Sequence, residues 1–152
     1  MKYTIAALTA LFIFGCTLLQ PPDRLAREVV LSENAPTPIG PYSQAIRVGN
    51  TVYCSGQIAI DPATGEQVRG NIEEETRLVL KNLRAVLNEA GMDSSHVVKA
   101  TIFLANMDDY QLVNRIYADF FSTSKPARET VQVARLPRDA GVEISCIAVK
   151  VD

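Results

Sequence analysis

The chain has 152 residues, of which 47% are hydrophobic and 21% charged, which is ordinary for a single globular domain. Its formal net charge is −2 and its pI is about 5.4, so the composition gives no electrostatic footprint for nucleic acid. The three cysteines and one histidine lack the spacing of zinc ligands, which argues against a metal centre.

The first sixteen residues have the pattern of an export signal. Met1-Lys2 is a short basic start, and the largely apolar run over 3–14 that follows it is too short for a permanent membrane span. The run ends in Gly15-Cys16, which resembles the lipobox of bacterial lipoproteins, where the cysteine becomes the lipidated first residue.

We therefore expect the chain to have three parts. Residues 1–15 are a lipoprotein signal peptide, residues 16–28 are a tether that begins with a lipid anchor on Cys16, and residues 29–152 are one domain. This expectation makes the protein an exported lipoprotein, held at the membrane on the periplasmic side of a bacterium.

A short strand and a stiff loop open the domain. The strand is predicted over 28–31, and the loop over 34–43 is forced into an extended shape by three prolines and a glycine. Tyr42, at the end of that loop, is either a pocket residue held in one place or an aromatic cover for the edge of the core.

A β-hairpin comes next. The two-residue turn Gly49-Asn50 joins strands predicted over 45–48 and 51–55. Gly56 follows the second strand, where the missing side chain either admits a ligand to the backbone or accommodates a bulge.

Two further cysteines and the only histidine have open interpretations. Cys54 and Cys146 fall in the middle of predicted strands. They are either buried free thiols or, in an exported protein, partners in a disulfide. His96 stands at the mouth of a strand over 96–104, where we expect a surface turn residue rather than a catalytic base.

Two segments have helical periodicity. Residues 71–90 place apolar side chains along one face, with Asn71 as the N-terminal cap and Gly91 at the end. Residues 108–121 repeat the pattern, and Asn114 lies beside its apolar stripe, either as a solvated residue or as a polar contact at an interface.

The order of elements, βββαβαββ, predicts an α+β fold in which both helices pack on one face of a mixed sheet. The other face of the sheet then lacks a cover, and oligomerisation is the usual way to bury it.

Arg128 opens the last pair of predicted strands. An alternating segment over 128–134 follows it, with one face packed and one free. The planar guanidinium of an arginine in this place matches a carboxylate with two hydrogen bonds, although a strand-end arginine also commonly extends into water.

Glu143 lies in the final predicted strand, 142–149, beyond a turn. If the two strands form a plain hairpin, Arg128 and Glu143 are roughly 20 Å apart along the ladder, at about 3.3 Å per residue. The two residues would then share a pocket only across a subunit boundary.

Several motifs now stand in a recognisable order. They are Asn34-Ala35-Pro36, Ile39-Gly40-Pro41-Tyr42-Ser43-Gln44, Ser55-Gly56-Gln57-Ile58, Val113-Asn114, Pro126-Ala127-Arg128, Val133-Ala134-Arg135-Leu136-Pro137 and Val142-Glu143-Ile144. Together they resemble the reactive intermediate deaminase (RidA/YjgF) family, from about residue 29 to the end of the chain.

The resemblance implies a homotrimer of chorismate-mutase-like subunits with clefts between them. It implies hydrolysis of 2-imino and 2-enamino acids, such as 2-iminopropanoate and 2-iminobutanoate, to 2-oxo acids and ammonia without metal or cofactor. By resemblance, Arg128 binds the substrate carboxylate, Glu143 orients the attacking water, and other pocket positions are filled by Tyr42, Ser55, Gly56 and Asn114.

Three features depart from the family pattern. Thr130 stands where many members have a cysteine, so its backbone N–H, and not a thiol, is expected to contact the substrate. Segment 122–125 is short, which reshapes one wall of the cleft, and the export signal is unusual in a family whose familiar members are cytosolic.

Two functions from different classes follow. The first is an exported imine deaminase, and the second is an exported protein that binds small carboxylates without physiological turnover. Translation inhibition or RNA cleavage, also described in the family, is disfavoured by the acidic pI and the lipid anchor.

Overall fold

The computed structural model describes residues 26–151. The predicted signal peptide, Cys16 and nearly all of the tether lie outside these residues. The described elements are β1 (Arg27–Val30), β2 (Ala45–Val48), β3 (Thr51–Gln57), α1 (Ile72–Glu89), β4 (Val97–Leu104), α2 (Tyr110–Phe120), β5 (Ala127–Gln132) and β6 (Val142–Val149). This is the predicted order, and β1 begins two residues before the predicted start of the domain.

Helix α1 begins and ends where its sequence predicts. Asn71 caps it, because the Asn71 side chain accepts hydrogen bonds from the backbone N–H groups of Glu73 and Glu74. Gly91 follows the helix with a φ of 66°, a left-handed conformation that glycine adopts without steric cost. The apolar stripe of α1 packs on β3, β6 and α2.

The sheet is mixed, with the strand order β1-β2-β3-β6-β4-β5. The β5–β6 hairpin considered above does not form, because β4 lies between these strands, parallel to β5 and antiparallel to β6. Strand β5 follows α2 in a β4–α2–β5 unit, and such a crossover returns the chain parallel to the strand that it left.

Both helices cover one face of the sheet, which we call the helix face, as predicted. Alternate residues of β6, such as Val142 and Ile144, are buried against them. The opposite face, here the open face, displays large apolar side chains: Tyr53 is 50% exposed and Val131 is 41% exposed. An exposed apolar sheet face of this kind marks an interaction surface.

Strand β4 departs from strict alternation at its start. The register with β6 shifts between Val97 and Lys99, so Val97 is buried and Val98 is exposed. Strict alternation counted back from buried Ala100 would instead bury Val98 and expose Val97. The one-residue irregularity reverses the faces of the residues that precede it.

Two features are absent from the described part of the chain. Between residues 26 and 151 no helix is long and apolar enough to cross a bilayer. Within the same range no group of three or more histidine, cysteine or acidic side chains could hold a metal ion.

Candidate active site

Arg128 lies on β5 at the edge of the described sheet and points to the helix face, because it pairs in register with buried Ala100 of β4. Its Nη1 donates a hydrogen bond of 2.8 Å to Asn114 Oδ1, and its Nη2 donates one of 3.1 Å to Tyr110 Oη. The guanidinium carbon also lies 4.8 Å from the centre of the Tyr117 ring, in cation–π range. We call these four residues the arginine cluster.

The cluster decides between the interpretations of Asn114 and Arg128. Asn114 is a hydrogen-bond acceptor for Arg128 and not a solvated helix residue, and Arg128 is half-buried and not extended into water. Burial raises the pKa of Tyr117 to about 12, an effect that the positive charge of Arg128 partly opposes. Tyr117 therefore serves as a neutral aromatic surface beside the guanidinium.

An open cavity of about 590 Å³ borders the arginine cluster, lined by Arg128, Asn114 and Tyr117 and by the segment that joins α2 to β5. Thr130 lies two residues beyond Arg128 and shares its face. Within the described sheet β5 is an edge strand, so alternate backbone N–H groups along it have no strand partner there. The edge position agrees with a backbone role for Thr130.

Glu143 lies on the open face, and the backbone beneath it explains why residue 56 is glycine. The register of β3 with β6 is irregular between Cys54 and Gln57, which is a bulge around Gly56. A Cβ atom on Gly56 would lie 2.7 Å from Glu143 Cδ, so any other residue there would displace the carboxylate. Burial raises the pKa of Glu143 above the ordinary value of a glutamate.

Tyr42 and Ser55 lie close to Gly56, and with Glu143 we call these the glutamate cluster. Ser55 Oγ donates 2.7 Å to the carbonyl of Ser43, so its hydroxyl hydrogen is already used. Tyr42 and Gly56 line one small cavity, and Tyr42 remains 47% exposed with its Oη accepting from the N–H of Ile39.

Gln44 is a positioning residue that sequence reasoning missed. Its amide is buried and makes four backbone hydrogen bonds: Oε1 accepts from Ser32 N, and Nε2 donates to the carbonyls of Ser32, Ala35 and Pro36. These bonds fix the proline-rich loop that carries Tyr42. A glutamine directly after such a loop is the feature that could have predicted this clamp.

The arginine and glutamate clusters do not meet within one chain. Ala100 pairs with both Arg128 and Cys146, and Glu143 lies three residues before Cys146. The Cα atoms of Arg128 and Glu143 are therefore roughly 14 Å apart, from about 3.3 Å per residue along the strands and about 4.8 Å between them. Their side chains also leave opposite faces of the sheet. The structure thus separates them within one chain, by the intervening strand β4 and by their opposite faces and not by a hairpin.

The other chemically capable residues lie elsewhere. His96 ends a short turn in which it receives a hydrogen bond from the N–H of Asp93, which confirms it as a turn residue. Cys54 and Cys146 are buried free thiols that lie directly opposite each other on β3 and β6.

Comparison with known proteins identifies the domain. The family model described as Endoribonuclease L-PSP matches residues 32–150. A RutC family protein of Pyrococcus abyssi is 50% identical over 83% of this chain and 99% of its own. The 2-iminobutanoate/2-iminopropanoate deaminase of Mus musculus is 48% identical over 83% of this chain and 93% of its own.

A solved structure agrees with these sequence matches. The conserved Rid family protein of unknown function from Yersinia pestis has a TM-score of 0.80 and 50% identity, over 82% of this chain and all of that one. Fold and sequence together show that the chain belongs to the Endoribonuclease L-PSP family, which is the RidA/YjgF family.

Proposed function

We propose that this protein hydrolyses small 2-imino and 2-enamino acids, such as 2-iminopropanoate and 2-iminobutanoate, to 2-oxo acids and ammonia. The observation that carries the proposal is the half-buried guanidinium of Arg128, to which residues 26–151 supply two neutral oxygen acceptors and no carboxylate. A half-buried charge of this kind is suited to a carboxylate ligand. A relative at 48% identity is named for this reaction.

The inventory of Arg128 N–H groups leaves room for a substrate. A guanidinium has five N–H donors, and Asn114 and Tyr110 use one each. Three donors remain, enough for two parallel hydrogen bonds to a carboxylate. The backbone N–H of Thr130, on the edge strand β5, is a further donor to that carboxylate in this proposal.

We infer that the site is completed in a homotrimer, where the arginine cluster of one subunit faces the glutamate cluster of the next. The opposite faces of Arg128 and Glu143 and the exposed apolar residues of the open face support this arrangement. Tyr42, Ser55 and Gly56 then line the pocket beside Glu143.

In this arrangement the chemistry needs mainly positioning, because the iminium carbon is already electrophilic. Glu143 accepts a proton from water as the water oxygen bonds to that carbon. The proton passes to the nitrogen, the C–N bond of the carbinolamine breaks, and the hydroxyl proton leaves with the nitrogen. The products are the 2-oxo acid and ammonium, with both protons of the water on nitrogen.

The test is ammonia release from 2-iminopropanoate generated in situ, by the parent and by Arg128→Lys. Lysine keeps the charge but loses the two-pronged geometry. The loss of one charge-assisted hydrogen bond, about 1.5–3 kcal/mol, predicts a rate reduced at least roughly tenfold. Arg69→Lys, at an exposed arginine that contacts Gln67, is the matched control. Parental turnover by Arg128→Lys would refute the assignment.

The second candidate is an exported protein that binds small carboxylates without physiological turnover. The same Arg128 geometry favours it, since binding requires no base. Glu143→Gln separates the two candidates, because an amide positions water without accepting its proton. If the protein is an enzyme, this variant loses turnover of the imine and keeps its affinity for pyruvate. If the protein only binds carboxylates, neither its imine turnover nor its pyruvate affinity differs from that of the parent.

We also propose that residues 1–28 export the protein and anchor it through a lipid on Cys16. The support lies in the sequence pattern of residues 1–16.

A further inference from the structure

The cavity beside Arg128 contains a second cation, Lys125. The eight residues that line this cavity include these two basic side chains and no acidic one. Lys125 belongs to segment 122–125, which joins α2 to β5 and is shorter than in the family pattern. This segment forms part of the cavity wall. A cavity with two cations and no anion attracts a ligand with two negative charges.

Lys125 is held in place by its backbone. Its φ is 44°, a left-handed conformation that is uncommon for residues other than glycine and is unusual directly before a proline such as Pro126. The N–H of Lys125 donates to the carbonyl of Phe121 at the end of α2. Backbone conformations of this kind concentrate at ligand sites.

The ammonium of Lys125 makes no ion pair with any residue from 26 to 151. Lys99, in contrast, is paired with Glu129 at 3.1 Å. Within the described chain, therefore, Lys125 is an exposed cation at the cavity that is available to an anionic ligand.

The two cations are spaced for a small dianion. Lys125 and Arg128 are three positions apart in sequence, so their Cα atoms lie at most roughly 10 Å apart, and both residues line the same cavity. The walls include Tyr117 and Phe121, and apolar walls strengthen charge interactions relative to open water.

We propose that Lys125 is a specificity residue that directs the site to 2-imino dicarboxylic acids. Arg128 binds the carboxylate next to the imine carbon, and Lys125 binds the distal carboxylate. This inference rests on the proposed deamination, because only that reaction would make dicarboxylic imines substrates of the site. The preference of the cavity for dianions is measurable as binding alone.

The decisive measurement is the affinity of the full chain for two stable 2-oxo acids of equal length. One is 2-oxoglutarate, and the other is 2-oxopentanoate, which has a methyl group in place of the distal carboxylate. We expect the parent to prefer 2-oxoglutarate by about twofold to fivefold, the upper part of the range for an exposed charge pair. Lys125→Met should reduce this ratio to about one and leave the affinity for 2-oxopentanoate unchanged.

Two more variants sharpen the result. Lys81→Met, at an exposed lysine of α1, removes the same charge from another surface and should leave the ratio unchanged. Lys125→Glu should reverse the preference, because the distal carboxylate then meets a like charge. Imines of matching structure, generated in situ, should show the same order in kcat/KM.

Three results would overturn the inference. One is an equal preference in the parent and in Lys125→Met. Another is a loss of affinity for both acids alike, and a third is a shift of Lys125→Met to smaller assemblies, which would make Lys125 an interface residue. If no imine is hydrolysed while the 2-oxoglutarate preference still depends on Lys125, the proposed reaction fails and the dianion site stands.

Discussion

At the scale of single residues, the hydroxyl of Tyr110 restrains the Arg128 guanidinium. It accepts a hydrogen bond of 3.1 Å from Nη2, while Asn114 accepts one from Nη1. Tyr110→Phe keeps the ring and removes this restraint, so the arginine gains rotational freedom before it meets the substrate. We expect KM for 2-iminopropanoate to rise about fivefold, equivalent to about 1 kcal/mol, with a smaller change in kcat.

Tyr53→Phe is the matched control for that variant, because Tyr53 is on the open face and makes no side-chain hydrogen bond within residues 26–151. A change in kcat alone, or equal effects of the two variants, would show that Tyr110 does not act through Arg128. Isothermal titration with pyruvate gives the same test without turnover.

The raised pKa of Glu143 predicts where activity is lost on the acid side of the pH–rate profile. Burial favours the protonated carboxyl, and only the carboxylate can accept a proton from water. Activity should therefore fall as the pH drops through a value above about 4.3, the ordinary pKa of glutamate. A pH profile of kcat/KM measures this value, and an acid limb at or below that ordinary value would contradict the assignment of Glu143 as the base.

The arginine cluster shows how far sequence reasoning reaches at this scale. Helical spacing alone places Tyr110, Asn114 and Tyr117 on neighbouring positions of one face of α2. It could not show that this face meets Arg128, because that depends on which strand β5 joins. Tyr110 and Tyr117 were consequently missed as site residues, and the solvated interpretation of Asn114 was the wrong one.

At the scale of elements, the crossover from β4 through α2 to β5 positions the site. The last two strands are adjacent in sequence and joined by a short turn, which suggested a hairpin. The parallel pairing of β4 and β5 prevails, because α2 packs on the sheet and delivers β5 beside the strand that precedes it. The hydrophobic pattern gave each strand and helix correctly, whereas strand order depends on packing between distant segments.

The β3–β6 pairing places Cys54 opposite Cys146, and we predict a disulfide between them when the protein folds in an oxidising compartment. Paired strand residues have Cα atoms about 4.5–5.5 Å apart, within disulfide range. The hydrogen bond from Cys54, followed by burial, raises the pKa of Cys146, so the folded dithiol should exchange slowly. The disulfide should therefore form during refolding and not by treatment of folded protein.

The measurement is thiol alkylation after denaturation, on a Cys16→Ser chain refolded in reduced and oxidised glutathione. We expect both thiols to be protected after oxidative refolding, with a thermal midpoint above that of the reduced protein. A bridge across so long a loop stabilises by up to on the order of 4 kcal/mol. Two alkylatable thiols after refolding under oxidising conditions would exclude the disulfide.

At the scale of the whole molecule, the opposed faces of Arg128 and Glu143 predict complementation between inactive subunits. Arg128→Lys and Glu143→Gln each disable one half of every site in their own trimer. When the two variants are unfolded together and reassembled, a fraction of the mixed interfaces joins an intact arginine cluster to an intact glutamate cluster. Activity should return to about a quarter of the parental value, because random mixing makes about one interface in four intact.

The control is the same mixture without unfolding, which should stay inactive if subunits exchange slowly. Sedimentation velocity on the parent should give a single trimeric species at micromolar concentration. A monomeric parent, or a reassembled mixture with no recovered activity, would remove the shared site.

The last prediction concerns the start of the chain, where Gly15-Cys16 follows a short apolar run. Expressed at full length in a bacterium, the protein should incorporate a fatty-acid analogue and partition into detergent. Acyl chains hold a protein at a membrane by hydrophobic insertion, stably when there are two membrane-binding signals and marginally when there is one. Membrane association through a lipidated Cys16 should therefore resist high salt, which weakens only electrostatic attachment. Cys16→Ser should abolish labelling and release the protein, while Cys54→Ser, at a buried thiol of the domain, should change neither. If Cys16→Ser is still labelled and still membrane-bound, Cys16 is not the anchor, and the short apolar run must hold the protein at the membrane by another means.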